Sequence, residues 1–385
     1  MKRKLRMGMI GGGKDAFIGA VHRIAALMDG EIEIVCGAFS SNPEKSKLSG
    51  EMLHLDADRI YGSYEEMILK EKSLPEGKSM DFVSIVTPNH LHFLPSKMAL
   101  ENGFHVVLDK PMTFNLEEAK ELKKIITASG KLFCLTHTYT GYPMIKEARQ
   151  LVAAGKIGKI RKVYVAYPQG WLSEFLEGGD NKQASWRTDP GKSGIAGCMG
   201  DIGTHAFNMA EYVSGLQVTK LCADLNIVVE GRQLDDDGSV LLKFNNGASG
   251  LLYASQIAAG EENNIRISIY GEKGGLEWKQ EDANTLLLKW IDKPTEILRA
   301  GNGYLSSYAQ QNCRTPPGHP EGYLEAFANL YRNFAFSVGA KSEGLIPKAE
   351  WLDFPGVEDG IRGMAFIDNV VKSSQGNEKW TEFVV

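Results

Sequence analysis

Near the N-terminus an apolar run ends in three consecutive glycines and gives way at once to helical periodicity. Leu5 to Ile10 read as a strand, Gly11, Gly12 and Gly13 follow, and Ile18, Val21, Ala25 and Met28 then recur at helical spacing until Gly30. Strand, glycine turn and helix in that order open a parallel α/β sheet, and they leave backbone N–H groups at a helix start with no side chain over them. Gly11, Gly13 and Ala16 fit the G-x-G-x-x-A spacing of a turn that receives a dinucleotide pyrophosphate, with Phe17 and Ile18 opening the helix behind it. Gly12 and Gly19 leave the register of that turn open. A merely tight turn is the alternative; the second strand that follows at the spacing of a βαβ unit favours the dinucleotide.

The same tempo continues through the first third of the chain. In EIEIVCGAF, Ile32, Ile34 and Cys36 alternate with Glu31, Glu33 and Val35, and Asn42 then offers an N-cap with Pro43 in the first turn. Ser63 and Glu66 have capping-box spacing, MDFVSIVTP and HVVLDKP read as buried strands, Asn115 with Glu118 caps the next helix, and KLFCLTH at 131–137 closes this half. An acid at the end of the second strand would select NAD by binding ribose hydroxyls and repelling a 2′-phosphate. Here the segment is Ala38, Phe39, Ser40, Ser41, Asn42. Ser40 and Ser41, with Lys45, either accept a phosphate or only form a turn and a cap, so NAD or NADP stays open.

Beyond about residue 139 the texture changes. A helix from Pro143 to Ala154 is followed by longer strands in which charged and apolar residues alternate: KIRKVYVAY, VLLKFNN, ASGLLYASQIA, NIRISIYG and TLLLKWI. The turn signals NNG at 245–247 and GEKGG at 271–275 make hairpins between some of them, which predicts an antiparallel sheet with one face wet or partnered. The expected division is a Rossmann domain over 1–138 and an α+β domain over 139–385. Gly, Pro, Ser and aromatics replace periodic patterns at 169–197 and 300–320, the expected functional loops.

Composition narrows the function classes. Among 385 residues Lys and Arg number 43 against 48 Asp and Glu, a net charge of −5, with no dense basic block beyond the first residues, so nucleic acid is not an expected partner. No apolar stretch reaches the roughly 18 residues of a membrane span. The basic start MKRKLR leads into MGMIGGG and Lys14, too short and glycine-rich for a signal peptide. Five scattered cysteines without a C-x-x-C pair read as buried thiols of a reducing compartment, hence a cytoplasmic protein. The histidines form no zinc pattern, and no metal is expected.

Four further motifs follow the glycine turn in order: IVTPNHLH at 85–92, ALENGFHVVLDKP at 99–111, WRTDPGKSG at 186–194 and GDIGTHA at 200–206. With YEEM after the second helix, AAGKIGKI at 153–160 and VEDGIRGM near the C-terminus, the chain resembles the glucose-fructose oxidoreductase and inositol dehydrogenase (Gfo/Idh/MocA) family along nearly its whole length. The family's usual E-K-P is Asp109, Lys110, Pro111 here, and the glycine turn carries extra residues. The resemblance implies an α/β protein: an N-terminal Rossmann dinucleotide-binding domain, then a domain with a large open, mainly antiparallel sheet whose free face makes homo-oligomers. It implies NAD(P), a sugar or polyol substrate, and Lys110, Asp201 and His205 as the catalytic group.

The residues support those roles on chemical grounds. Oxidising a secondary alcohol needs a base for the hydroxyl proton as hydride leaves the carbon, and His titrates near neutrality. Asp201 and His205 are four apart, so on a helix they share a face and the carboxylate can orient the imidazole. The alternative is an Asp N-cap with a core His one turn on. Lys110 follows an apolar strand at the edge where α/β ligands bind and can stabilise charge on the reacting oxygen; otherwise it is a solvated strand-end lysine. Thr87, Pro88 and Asn89, with Asp109, line the expected cofactor site, whereas His90 and His92 read as helix-start and packing residues. Trp171, Trp186 and Arg187 suit a sugar ring or else fill a core, and Tyr142 and His319 are further pocket candidates. Two other functions fit the same fold: a glycosidase using transient oxidation and elimination, and a dinucleotide-sensing protein without turnover.

Overall fold

The computed structural model describes residues 3–14, 16–75 and 77–385; Asp15, inside the glycine turn, lies outside them. The chain forms two compact units, one of the residues up to Thr138 with Tyr323–Ile361, the other of Tyr139–Gly322 with Arg362–Val385.

The first unit is built on a five-stranded parallel sheet of β1 (Leu5–Gly11), β2 (Ile32–Ala38), β3 (Phe82–Val86), β4 (His105–Leu108) and β5 (Phe133–Leu135) in the order β2-β1-β3-β4-β5. Helices α1 (Phe17–Leu27), α2 (Pro43–Met52), α3 (Tyr64–Ser73), α4 (Phe93–Glu101) and α5 (Leu116–Ser129) connect the strands. Every residue of β3 is buried, which is why this strand reads as a continuous apolar run. The caps form as the sequence predicts: Asn42 accepts from Lys45 N, Ser63 from Glu66 N and Asn115 from Glu118 N. Strand order reverses direction between β1 and β3, the switch point at which open α/β sheets hold their ligands.

A second domain running unbroken over 139–385 is corrected by this division. The helix Tyr323–Ser342 completes the core of the first unit: Phe327, Tyr331, Phe334 and Val338 pack with Met7, Val21, Phe82 and Val107 in one buried cluster. Each such side chain contributes about 1.5–3 kcal/mol by leaving water. The contact is specific as well as apolar, since the Tyr331 hydroxyl lies 2.7 Å from His22 Nδ1 and 2.7 Å from Ser84 Oγ.

The second unit carries a nine-stranded sheet: β6 (Ile160–Pro168), β7 (Val218–Asn226), β8 (Asp237–Phe244), β9 (Ser249–Ser255), β10 (Arg266–Gly271), β11 (Gly274–Lys279), β12 (Thr285–Trp290), β13 (Glu296–Arg299) and β14 (Thr381–Glu382). Its order is β13-β12-β11-β10-β6-β9-β8-β7-β14, and among its pairs only β6 and β9 run parallel. The NNG and GEKGG turns join β8 to β9 and β10 to β11 as expected. Helices α6 (Pro143–Ala153) and α9 (Thr204–Ser214) pack on the sheet; two short ones, α7 (Lys182–Arg187) and α8 (Pro190–Ser193), lie in the irregular stretch before α9. Val163, Val165 and Leu252 are fully buried, while Tyr164 and Leu251, on the other face, are half-buried and the neighbouring Leu241 is exposed. Among the described residues no helix is long and apolar enough to cross a membrane.

Candidate cofactor and substrate sites

In the first unit the glycines fix how β1 passes into α1. Gly11 and Gly12 have φ of +80° and +68°, a region that L side chains rarely adopt. A Cβ on Gly19 would stand 2.4 Å from the Cα and the carbonyl oxygen of Gly12, so α1 rests directly on the backbone of the turn. A Cβ on Gly13 would stand 2.8 Å from Phe39 O and from Ser49 Oγ. The close approach of helix to turn thus falls to Gly19, whereas Ala16 is the N-cap of α1, Phe17 is 66% exposed and Ile18 packs inward. Arg23 Nη1 donates to the Gly12 carbonyl and braces the turn from the next turn of α1.

A cavity of about 300 Å³ opens beside this turn at the C-terminal ends of β1, β2 and β3. Gly11, Ser40, Ser41 and Thr87 line it, Leu91 and Leu94 supply an apolar wall, and Ser63, Tyr64 and Glu65 close it from α3. A turn opening with three glycines next to a partly apolar cavity fits a dinucleotide: backbone amides for pyrophosphate, a greasy slot for a base. Pro88 precedes a short 3-10 turn, Asn89–Leu91, in which Asn89 is buried. His92 is a packing residue, as expected: its ring nitrogens lie 2.8 Å from Thr87 O and 2.7 Å from Pro111 O, tying the Thr87 turn to the segment after Lys110.

Asp109 organises that segment. Its Oδ1 accepts from Lys110 N and Thr136 Oγ1, both at 2.9 Å, and its Oδ2 lies 3.9 Å from His22 Nε2. Burial alone would raise this carboxyl, but His22 and the Lys110 charge outweigh it and hold Asp109 below the usual carboxylate range. Nearby His137 is pushed down to about 3, first by burial and then by Lys110, so its imidazole is neutral at neutral pH.

In the second unit Asp201 sits in a π-helical turn, Met199–Gly203, that runs straight into α9 with His205 in its first turn. Such turns re-aim side chains and concentrate at functional sites. Gly203 is the N-cap of α9, so Asp201 is not a capping residue; its Oδ2 accepts from Gln256 Nε2 at 2.9 Å and lies 3.3 Å from Arg187 Nε. The His205 ring meets Tyr139 edge to face at 4.9 Å and Tyr167 at 6.3 Å. The two tyrosine hydroxyls are hydrogen-bonded to each other; Asn263 donates to Tyr139 at 3.1 Å and accepts from Tyr167 at 2.7 Å. Gln169 donates to Tyr167 at 3.3 Å and accepts from Trp171 Nε1 at 3.1 Å.

The start of the π turn is pinned from below. Buried Asp235 accepts from Gly197 N at 2.6 Å and Met199 N at 2.8 Å, and burial pushes its carboxyl up to about 6. Of the remaining candidates, Arg187 stacks over Trp186 at 4.3 Å, and Tyr142 is buried against Trp278 and Tyr139. His319 is exposed, with Nδ1 3.3 Å from the Pro316 carbonyl of its own turn. Sequence reasoning missed Tyr139, Tyr167, Gln169, Gln256 and Asn263. A signal was present: Gln169 and Gln256 each follow the last residue of a strand, and the parallel pairing of Pro168 with Ser255 brings those two ends together.

Residues 5–137 match the family model described as an oxidoreductase family with an NAD-binding Rossmann fold, and residues 145–277 match the GFO/IDH/MocA C-terminal domain. The uncharacterised oxidoreductase YfiI of Bacillus subtilis is 33% identical, covering 100% of this chain and 98% of that protein. An oxidoreductase from Sinorhizobium meliloti has a crystal structure with TM-score 0.89 at 44% identity, covering 98% of this chain and 99% of that one. An inositol dehydrogenase homologue from Azotobacter vinelandii, crystallised with NADH and myo-inositol, has TM-score 0.91 at 32% identity, covering 99% of this chain and 98% of that one. Both domain models in chain order, with relatives matched end to end, place this chain in the Gfo/Idh/MocA family, as an oxidoreductase with an NAD-binding Rossmann domain.

Proposed function

We propose that this oxidoreductase oxidises a secondary hydroxyl of a cyclic polyol or sugar. The observation that carries the reading is the company kept by His205: a buried imidazole against two tyrosine rings whose hydroxyls meet uncharged amides, with the Asp201 carboxylate one turn before it. Neutral donors and acceptors beside aromatic faces suit a ring bearing several hydroxyls. The relative crystallised with myo-inositol supports the same substrate class.

In this reading NAD(P), when bound, supplies the acceptor for the hydride. His205 takes the hydroxyl proton, a role for which general base catalysis is typically worth about 10²–10⁴ in rate. Asp201, held by Gln256 and Arg187, favours the imidazolium that results. Lys110 donates to the oxygen as charge develops on it, and the Asp109 carboxylate fixes the Lys110 backbone for that task. His137, neutral, adds no second positive charge beside Lys110. Arg187 and Trp186 together offer a flat cationic surface for a sugar face.

A panel of inositols, aldoses and glycosides, scored by absorbance of reduced nicotinamide after mass spectrometry has identified the cofactor, tests the proposal. Net reduction with a cyclic polyol or sugar is the expected result. Release of an aglycone without net reduction would replace it by a redox-assisted glycosidase, and no response to any of them would refute it.

A further inference from the structure

We infer that Glu65, at the start of α3 rather than at the end of β2, is the carboxylate that makes this domain choose NAD over NADP. The inference rests on reading the cavity beside the glycine turn as the seat of the adenosine end of a dinucleotide.

Choosing NAD takes an acid that pairs with the ribose hydroxyls and repels a 2′-phosphate. The strand that normally supplies it ends here in Ala38, Phe39, Ser40 and Ser41, none of them charged. The cavity lined by those serines has its opposite wall at the start of α3, where Ser63, Tyr64 and Glu65 face it. Among the described residues that line it, Glu65 is the only carboxylate and there is no Lys or Arg. A 2′-phosphate would bring about −1.5 to −2 charges into a space that offers hydroxyls, one imidazole and a carboxylate.

Two amides at the helix start are already engaged. Glu66 N donates to Ser63 Oγ at 3.2 Å and Gly62 N donates to Glu66 Oε2 at 3.2 Å, so these amides are already satisfied by the cap. The ordinary use of an acid in a first helical turn is to balance the helix dipole. Glu66 fills that role through the cap, which leaves Glu65 available to the cavity. Burial, reinforced by the Glu65 carboxylate, pushes the Tyr64 phenol up to about 12, so Tyr64 remains a hydroxyl donor beside it.

Calorimetric titration of NAD and NADP into the full-length protein tests this without any turnover. Wild type should bind NAD more tightly than NADP by roughly tenfold or more, the scale of one carboxylate beside a partly solvated phosphate. Glu65→Gln should close most of that gap, chiefly by tightening NADP, and Glu65→Arg should reverse it. High salt should narrow the wild-type ratio, as it does for any charge pair reached by solvent. Glu65 is exposed, and unchanged thermal unfolding of both variants would show that they fold. A wild-type preference for NADP, or a ratio unmoved in both variants while NAD still binds, would overturn the inference. If neither dinucleotide binds the wild type, the cavity reading falls and the inference with it. If the ratio moves but no polyol is oxidised, only the substrate proposal fails.

Discussion

Replacing Gly19 by alanine sets two opposed effects against each other. Alanine is preferred to glycine in a helix interior by about 1 kcal/mol, and Gly19 is the third residue of α1. Against that gain, the new Cβ would stand 2.4 Å from the Cα and carbonyl oxygen of Gly12 and 2.7 Å from its carbonyl carbon. All three are backbone atoms, so no rotamer relieves the overlap. Restoring a carbon contact of about 3.5 Å requires α1 and the turn to part by about 1 Å. Overpacking of this kind costs about 1–3 kcal/mol, which cancels the propensity gain and leaves a net loss of up to ~2 kcal/mol. The displacement matters more than the stability, because amides that hold pyrophosphate work within roughly 2.7–3.2 Å. We expect Gly19→Ala to lose NAD affinity at least about thirtyfold by calorimetry, a loss of ~2 kcal/mol, with a modest fall in melting temperature. Ala20→Gly, exposed on the next position of α1, should cost about 1 kcal/mol in helix propensity yet keep its NAD affinity. Wild-type affinity in Gly19→Ala would refute the view that the contact between helix and turn positions the cofactor amides.

His205→Asn should lower turnover by about 10²–10⁴ with NAD binding retained by calorimetry; a variant that keeps its rate removes His205 as the base. Lys110→Met should be comparably damaging to turnover while the protein still melts as the wild type does, and an unaffected rate would strike Lys110 from the mechanism. Asp235 carries a pH prediction. Burial raises its carboxyl to about 6 from an ordinary 3.8, so its stabilising contribution is full below about pH 4 and lost as pH rises through 6. That amounts to about 3 kcal/mol. The difference in unfolding free energy between wild type and Asp235→Asn should therefore shift against the wild type between pH 4 and 6, and a flat difference would show that the carboxyl is not perturbed.

The parallel half of the fold was legible because its signals are local. Caps at Asn42, Ser63 and Asn115 and the buried runs of β3 and β4 are each written within a few residues of where they act. Hairpin turns in the second sheet were legible for the same reason. What could not be read was contact at a distance. Gly19 and Ala16 are both small residues near a helix start, and only the path of the turn tells which one touches Gly12. Nothing in Tyr139, Tyr167 or Asn263 announces a cluster, since they come from three separated segments. The parallel pairing of β6 with β9, an exception in an otherwise antiparallel sheet, brings Gln169 and Gln256 together, and alternation along a strand carries no information about its neighbour's direction. The spacing of Asp201 and His205 alone favours a cap with a core histidine, and the π turn that carries Asp201 into α9 has no signature in the sequence.

The late helix in the early core has a consequence for how the protein is made. A ribosome adding about 5–20 residues per second needs roughly 10–40 s after Thr138 to reach Tyr323, with the whole of Tyr139–Gly322 synthesised in between. Throughout that interval the nascent parallel sheet has Met7, Phe82 and Val107 without Phe327, Tyr331 and Phe334 to cover them, and His22 and Ser84 without the hydroxyl that joins them. Contacts so far apart along the chain slow folding and prolong the exposure of sticky surface. A fragment cut at Thr138, the natural boundary to choose from the sequence, is therefore a poor candidate for expressing the nucleotide-binding domain alone. The shorter route is to join Tyr323–Ile361 behind Thr138 through a flexible linker, so that the missing helix arrives while the sheet is still waiting for it.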